Sequence, residues 1–139
     1  MQFFPVNEVS EIVKGYEKIS QAFGGNYTHF HDFDLTAMEF DGQTLKLTFD
    51  LEEHEFANRI QFALKNAQIK SLHLLPNLNG TATVDDILIA ADQSNNLVFA
   101  VDSISYINKG TKSSLEVLCS EVEVVYAERI ALWIRNPKY

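Results

Sequence analysis

The stretch Asp32-Phe33-Asp34-Leu35-Thr36-Ala37-Met38-Glu39-Phe40-Asp41-Gly42-Gln43-Thr44-Leu45-Lys46-Leu47-Thr48-Phe49-Asp50-Leu51 decides how the chain is read. Apolar side chains alternate with polar ones in Phe33, Leu35 and Ala37 and again in Leu45, Leu47, Phe49 and Leu51, the period of strands with one wet face. Asp41-Gly42 separates the two runs, a favoured pair for a two-residue type I′ turn because both positions need positive φ. The stretch therefore predicts a β-hairpin.

Upstream the period changes. Val9, Ile12, Val13, Tyr16, Ile19 and Phe23 recur at three- and four-residue spacing, which predicts an amphipathic helix from about Glu8 to Phe23. Asn7 is placed to cap it, Glu8 and Glu11 suit the positive end of its dipole, and Gly24-Gly25 supplies the stop. Downstream, alternation in Ile60, Phe62 and Leu64 favours a strand over a helix, and Ile69 to Leu75 reads as another strand before Pro76. Ile87 to Ala91 and Leu97 to Val101 flank the polar loop Asp92 to Asn96, and Asn108-Lys109-Gly110 turns the chain toward Leu115, Val117 and Cys119. Val122, Val124 and Tyr126 are out of phase with Leu115 and Val117, which predicts a bulge or break near Cys119-Ser120; a helix over 127–135 is the alternative to a final strand. The sum is an α+β domain spanning 1–139: an N-terminal helix packed on a curved, mainly antiparallel sheet of about seven to eight short strands over roughly 32–134. No internal repeat is visible.

A chain of 139 residues is large enough to bury a core without disulfides or a structural metal. Eleven basic against nineteen acidic residues leave a net charge of −8, which repels nucleic acid and attracts basic proteins. The opening Met1-Gln2-Phe3-Phe4-Pro5 has no basic region and too short an apolar run for a signal peptide. The longest apolar candidate for a membrane span, Val84 to Val101, is interrupted by Asp85, Asp86, Asp92 and Asn95. Together with a single cysteine, these features predict a cytoplasmic protein with neither nucleic acid nor membrane as partner.

Few residues suit catalysis. His29 and His31 share one face of a strand and could hold a metal or anchor a small-molecule site, but only His54 and His73 remain as further histidines. The favoured reading has no metal and no cofactor, with His31 or Asp32 satisfying backbone groups where helix hands over to strand. Cys119 lies in an apolar run without a neighbouring His or basic residue, so it reads as a packed thiol rather than a nucleophile. Asp50-Leu51-Glu52-Glu53-His54-Glu55 is the sharpest charge run. Asp50, Glu52, Glu53 and Glu55 make an acidic docking patch, with Asp85-Asp86 or Glu121 and Glu123 as candidates to join it; a solvated loop or a charge-blunted sheet edge is the bland reading.

The segment Ala22-Phe23-Gly24-Gly25-Asn26-Tyr27-Thr28-His29-Phe30-His31-Asp32-Phe33-Asp34-Leu35 resembles the opening of the polymorphic-toxin immunity protein family numbered fifty. Phe23-Gly24 and Phe30-His31-Asp32 match that family's pattern of a short helix ending in Phe-Gly and a first strand opening with Phe-His-Asp. Leu45 to Phe49, Arg59 to Phe62 and Leu115 to Val125 follow its order of elements. The chain departs from the family in having Asn26-Tyr27 where Trp-Pro often stands, and in its extended tail Ala131 to Tyr139. The resemblance implies a cytoplasmic antidote that binds one cognate toxin domain, with no catalysis and no cofactor.

Overall fold

The computed structural model describes residues 2–24, 30–53, 55–74, 81–92, 94–105 and 111–131. The molecule is built from strands. In chain order they are β1 (Phe4–Pro5), β2 (Val13–Lys14), β3 (Asp34–Phe40), β4 (Leu45–Glu53), β5 (Phe56–Lys65), β6 (Gln68–His73), β7 (Ala82–Ala91), β8 (Leu97–Ser105), β9 (Thr111–Cys119) and β10 (Glu121–Ala131). A 3-10 segment (Val6–Ile12) separates β1 from β2, and one short helix, α1 (Glu17–Phe23), precedes β3.

These elements overturn the α+β expectation of a long N-terminal helix on seven or eight strands. The segment read as one helix is a 3-10 turn, a two-residue strand and a seven-residue helix. Gly15 explains the break: its φ is +76°, and a Cβ there would lie 2.9 Å from the carbonyl oxygen of Val124. The helical spacing of apolar residues is real, but it serves a segment folded twice over the sheet, with Val13 and Ile19 buried and Ile12 exposed. Asn7 makes no cap, since it lies inside the 3-10 segment behind Pro5. Gly24 does end α1, in a left-handed conformation with its N–H on the Ser20 carbonyl.

The strands pair in the order β2-β10-β5-β4-β3-β7-β8-β9-β6, with β1 on β7. This ribbon curls back on itself, because β5 and β6 are one run turned at 66–67, and β9 and β10 are one run turned at Ser120. The two runs pair along both halves, β5 with β10 and β6 with β9. At the corner the Ser120 N–H donates to the Lys65 carbonyl. All these pairings are antiparallel except β2 on β10.

Two three-strand meanders, β3-β4-β5/β6 and β7-β8-β9/β10, are thus related by an internal two-fold that the sequence did not display. Each first strand carries a bulge, between Leu35 and Ala37 and between Val84 and Asp86. Each last strand turns a corner and bulges again beyond it, between Ile69 and Ser71 and between Val124 and Tyr126. The meanders meet at Asp34 opposite Thr83 and Leu35 opposite Ala82. Between them the core is filled by inward residues of both halves. Phe62 is its centre, with ring centroids 5.9 Å from Phe49, 6.1 Å from Phe30 and 5.4 Å from Phe99.

The expected hairpin is present with a different turn. Phe40 pairs with Leu45, leaving a four-residue connection, 41–44. The Asp41 carboxylate accepts from the N–H groups of Gln43 (2.9 Å) and Thr44 (2.7 Å), and Gly42 takes a φ of +94°. A two-residue turn at Asp41-Gly42 would have set Phe40 opposite Gln43; the longer one keeps apolar residues opposite apolar residues, and register follows that match. The break at Ser120 is as expected. The strand reading holds to Ala131 against the helical alternative, while 132–135 and the turn at Asn108-Lys109-Gly110 lie outside the described residues.

Candidate functional site

Sheet register brings together residues that are far apart in sequence. Thr83 on β7, Asp34 on β3, Asp50 on β4, Arg59 on β5 and Glu128 on β10 lie directly opposite one another in turn, forming one row on the outer face. Their orientation follows from alternation: Phe33, Leu35, Phe49 and Ile60 are buried, so their neighbours Asp34, Asp50 and Arg59 point away from the core. Within the row Arg59 grips Asp50 with two parallel bonds, Nε to Oδ1 at 2.7 Å and Nη2 to Oδ2 at 2.9 Å. This charge-assisted fork leaves the Asp50 side chain 13% exposed and raises the Arg59 guanidinium above its ordinary pKa.

Asp34 has no such cation. The Thr83 hydroxyl donates to its Oδ1 at 3.1 Å, and among the described residues it has no ion pair. Burial raises its pKa, with Glu52, Asp50 and Asp32 adding like charge, more than the Thr83 bond lowers it.

The row is bordered by the Phe30-His31-Asp32 segment. Phe30 is a core residue, 2% exposed and packed on Phe33 and Phe62. Asp32 adopts a left-handed φ of +67°, and its N–H donates to the Val84 carbonyl at 2.9 Å. The side chain stands in solvent, so the backbone of Asp32 rather than its carboxylate joins the turn to β7. His31 is exposed and leans on the β7 bulge, its Nδ1 3.2 Å from the Asp85 carbonyl oxygen and 3.3 Å from the Asp85 carboxylate. Its Nε2 is 3.5 Å from the Asp32 carboxylate. The bond to the Asp85 carbonyl, followed by the charge of Asp32, raises the imidazole pKa. The bulge makes this possible, because it lets Val84 and Ile87 both face the core while Asp85 and Asp86 both turn outward.

Of the residues expected in an acidic patch, Asp50, Glu52 and Asp85 therefore gather with His31 and Asp32 around Asp34. Glu55 is exposed at the β4–β5 turn; Glu53 contributes its backbone to β4, and its side chain lies outside the description. Asp86 stands opposite Asp102 and accepts from the Ile87 N–H at 2.9 Å, engaged in its own strand. Glu121 and Glu123 sit at the far end of β10, where Glu123 pairs with Lys65 at 3.6 Å, and so do not join the patch. Asp34, Arg59, Thr83 and Glu128 were not anticipated; the register between strands is what makes them neighbours.

His29 lies outside the described residues, so the pair it was expected to form with His31 is not placed. Cys119 is buried at 2% exposure, and desolvation pushes its thiol up to about 12, which leaves it protonated at neutral pH. Among the described residues no helix is long and apolar enough to cross a membrane. Comparison with protein-family models, with curated proteins and with solved structures finds no match for this chain.

Proposed function

We propose that this chain is a non-catalytic immunity protein of the cytoplasm that binds and neutralises a basic toxin domain. The observation that carries this reading is Asp34: a half-buried carboxylate, held by Thr83 and crowded by Asp32, Asp50 and Glu52, with no cation paired to it among the described residues. A lysine or arginine from a partner completes the row as Arg59 already completes it at Asp50. The fixed fork between Arg59 and Asp50 keeps the face ordered before the partner arrives. The net charge of −8 steers a basic domain toward it, and the resemblance of Phe30-His31-Asp32 to the immunity family supplies the biological class.

Co-expression with the toxin domain encoded by the adjacent reading frame tests the reading. Cells carrying both survive, and the two proteins purify as a stoichiometric complex. Folded protein that neither binds nor protects against an active toxin rejects it.

A further inference from the structure

We propose that the open end of the sheet, between the free edges of β3 and β6, is a docking cleft for an extended segment of a basic protein partner. The internal two-fold provides the comparison. In the second meander the corresponding edges are closed by the chain's own N-terminal segment. There β1 pairs with Leu88 and Ile89 of β7, β2 pairs with Val122 and Glu123 of β10, and the segment inserts Val6, Val13 and Ile19, each at most 4% exposed. In the first meander, among the described residues, no strand pairs with β3 beyond Leu35 on that side or with β6 on the side away from β9. The Ala67 N–H donates to the Gln43 carbonyl at 2.7 Å, which sets both edges at the same end of the sheet.

The side chains along these edges face the core side. Met38 and Phe40 stand opposite the buried Leu47 and Leu45, and Ile69 and Leu72 stand opposite the buried Val117 and Leu115. The bulge between Ile69 and Ser71 is what puts Ile69 and Leu72 on one face. Nevertheless Met38 is 36%, Phe40 49%, Ile69 37% and Leu72 57% exposed. Inward-facing apolar groups left uncovered beside unpaired main-chain edges are what an added strand covers, and the second meander shows the same fold covering them with a segment of strand and tight turn.

Charge selects the occupant. Glu39 lies opposite Lys46, whose charge also acts on Asp41, so attachment rests on main-chain bonds and apolar contact, while the net charge of −8 repels a second copy and draws a basic segment. The inference rests on the reading of this chain as a binder of a basic domain and adds the place where that partner's main chain attaches.

The probe is a random dodecapeptide display library selected on the whole protein, with hydrogen exchange to map the winning peptides. The expected winners alternate apolar and basic residues and protect the amides of Ala37–Phe40 and Gln68–His73. They weaken at least about tenfold on the Phe40→Asp, Leu72→Asp double variant, whose folding is checked by its thermal transition. No enrichment overturns the cleft, as does binding confined to the Asp34 and Asp50 face, which leaves the binding-protein reading standing. Concentration-dependent self-association that protects the same amides overturns the basic occupant in favour of a second copy. Peptides that seat in the cleft while the adjacent toxin domain fails to bind reject the immunity reading and retain the cleft.

Discussion

Asp34 is where stability and the proposed binding pull in opposite directions. Its pKa is raised by burial and by the neighbouring carboxylates, so the folded chain holds this proton more tightly than the unfolded chain does. The sign follows from linkage: folding is favoured by protonation here, the ionised group costs stability, and that cost sets in as pH rises from the ordinary value of 3.8 through the folded pKa. Asp34→Asn keeps an oxygen for the Thr83 hydroxyl and removes the charge. Urea unfolding at pH 7 is expected to find the variant more stable than the parent, with the difference vanishing below about pH 3.8. A loss of stability at pH 7 shows instead that the Asp34 charge is compensated in the free protein. Residues that cost stability and serve a partner are expected at binding faces. Asp34 was legible in the sequence only as one acid among many, because its significance comes from Asp50, Glu52 and Thr83 across strand boundaries.

At the scale of elements, alternation was sufficient for the hairpin, the five longer strands that follow it and the break at Ser120, since one buried face leaves a two-residue imprint on sequence. It failed at the N-terminus, where a helical spacing was followed through Gly15. That glycine is the informative residue: its positive φ lets β2 hand over to α1, and its missing Cβ admits the Val124 carbonyl. The Lys18 ammonium then donates to the carbonyls of Val124 (3.3 Å) and Val125 (3.2 Å) at the β10 bulge, tying α1 to the sheet. Gly15→Ala is expected to lower the unfolding free energy by about 1–3 kcal/mol. Gly42→Ala, also at positive φ but with nothing within 4 Å of the added Cβ, costs less; equal losses in denaturant melts contradict the close approach to Val124. The bulges were equally invisible, because an extra residue in a strand shifts the period without a composition signal, yet the one between Val84 and Asp86 brings Asp85 to His31.

The whole molecule is a curled sheet of two similar meanders used unequally. One carries the N-terminal segment on its edges, no strand among the described residues covers those of the other, and the acidic row crosses the junction between them. The charge run from Asp50 to Glu55 pointed to an acidic patch that includes Asp50 and Glu52 but not to Asp34, and of the Phe30-His31-Asp32 segment His31 marks the border of this face while Phe30 belongs to the core. The proposed capture of a basic toxin domain takes place on this face. The most direct measurement is the association rate of the adjacent-frame toxin domain with the parent protein and with the Asp34→Asn, Glu52→Gln double variant, across a series of salt concentrations. The parent rate is expected to fall steeply with salt, and the folded variant to associate roughly three- to tenfold more slowly at low salt with a shallower dependence. Association that is independent of salt and unchanged in the variant contradicts this capture.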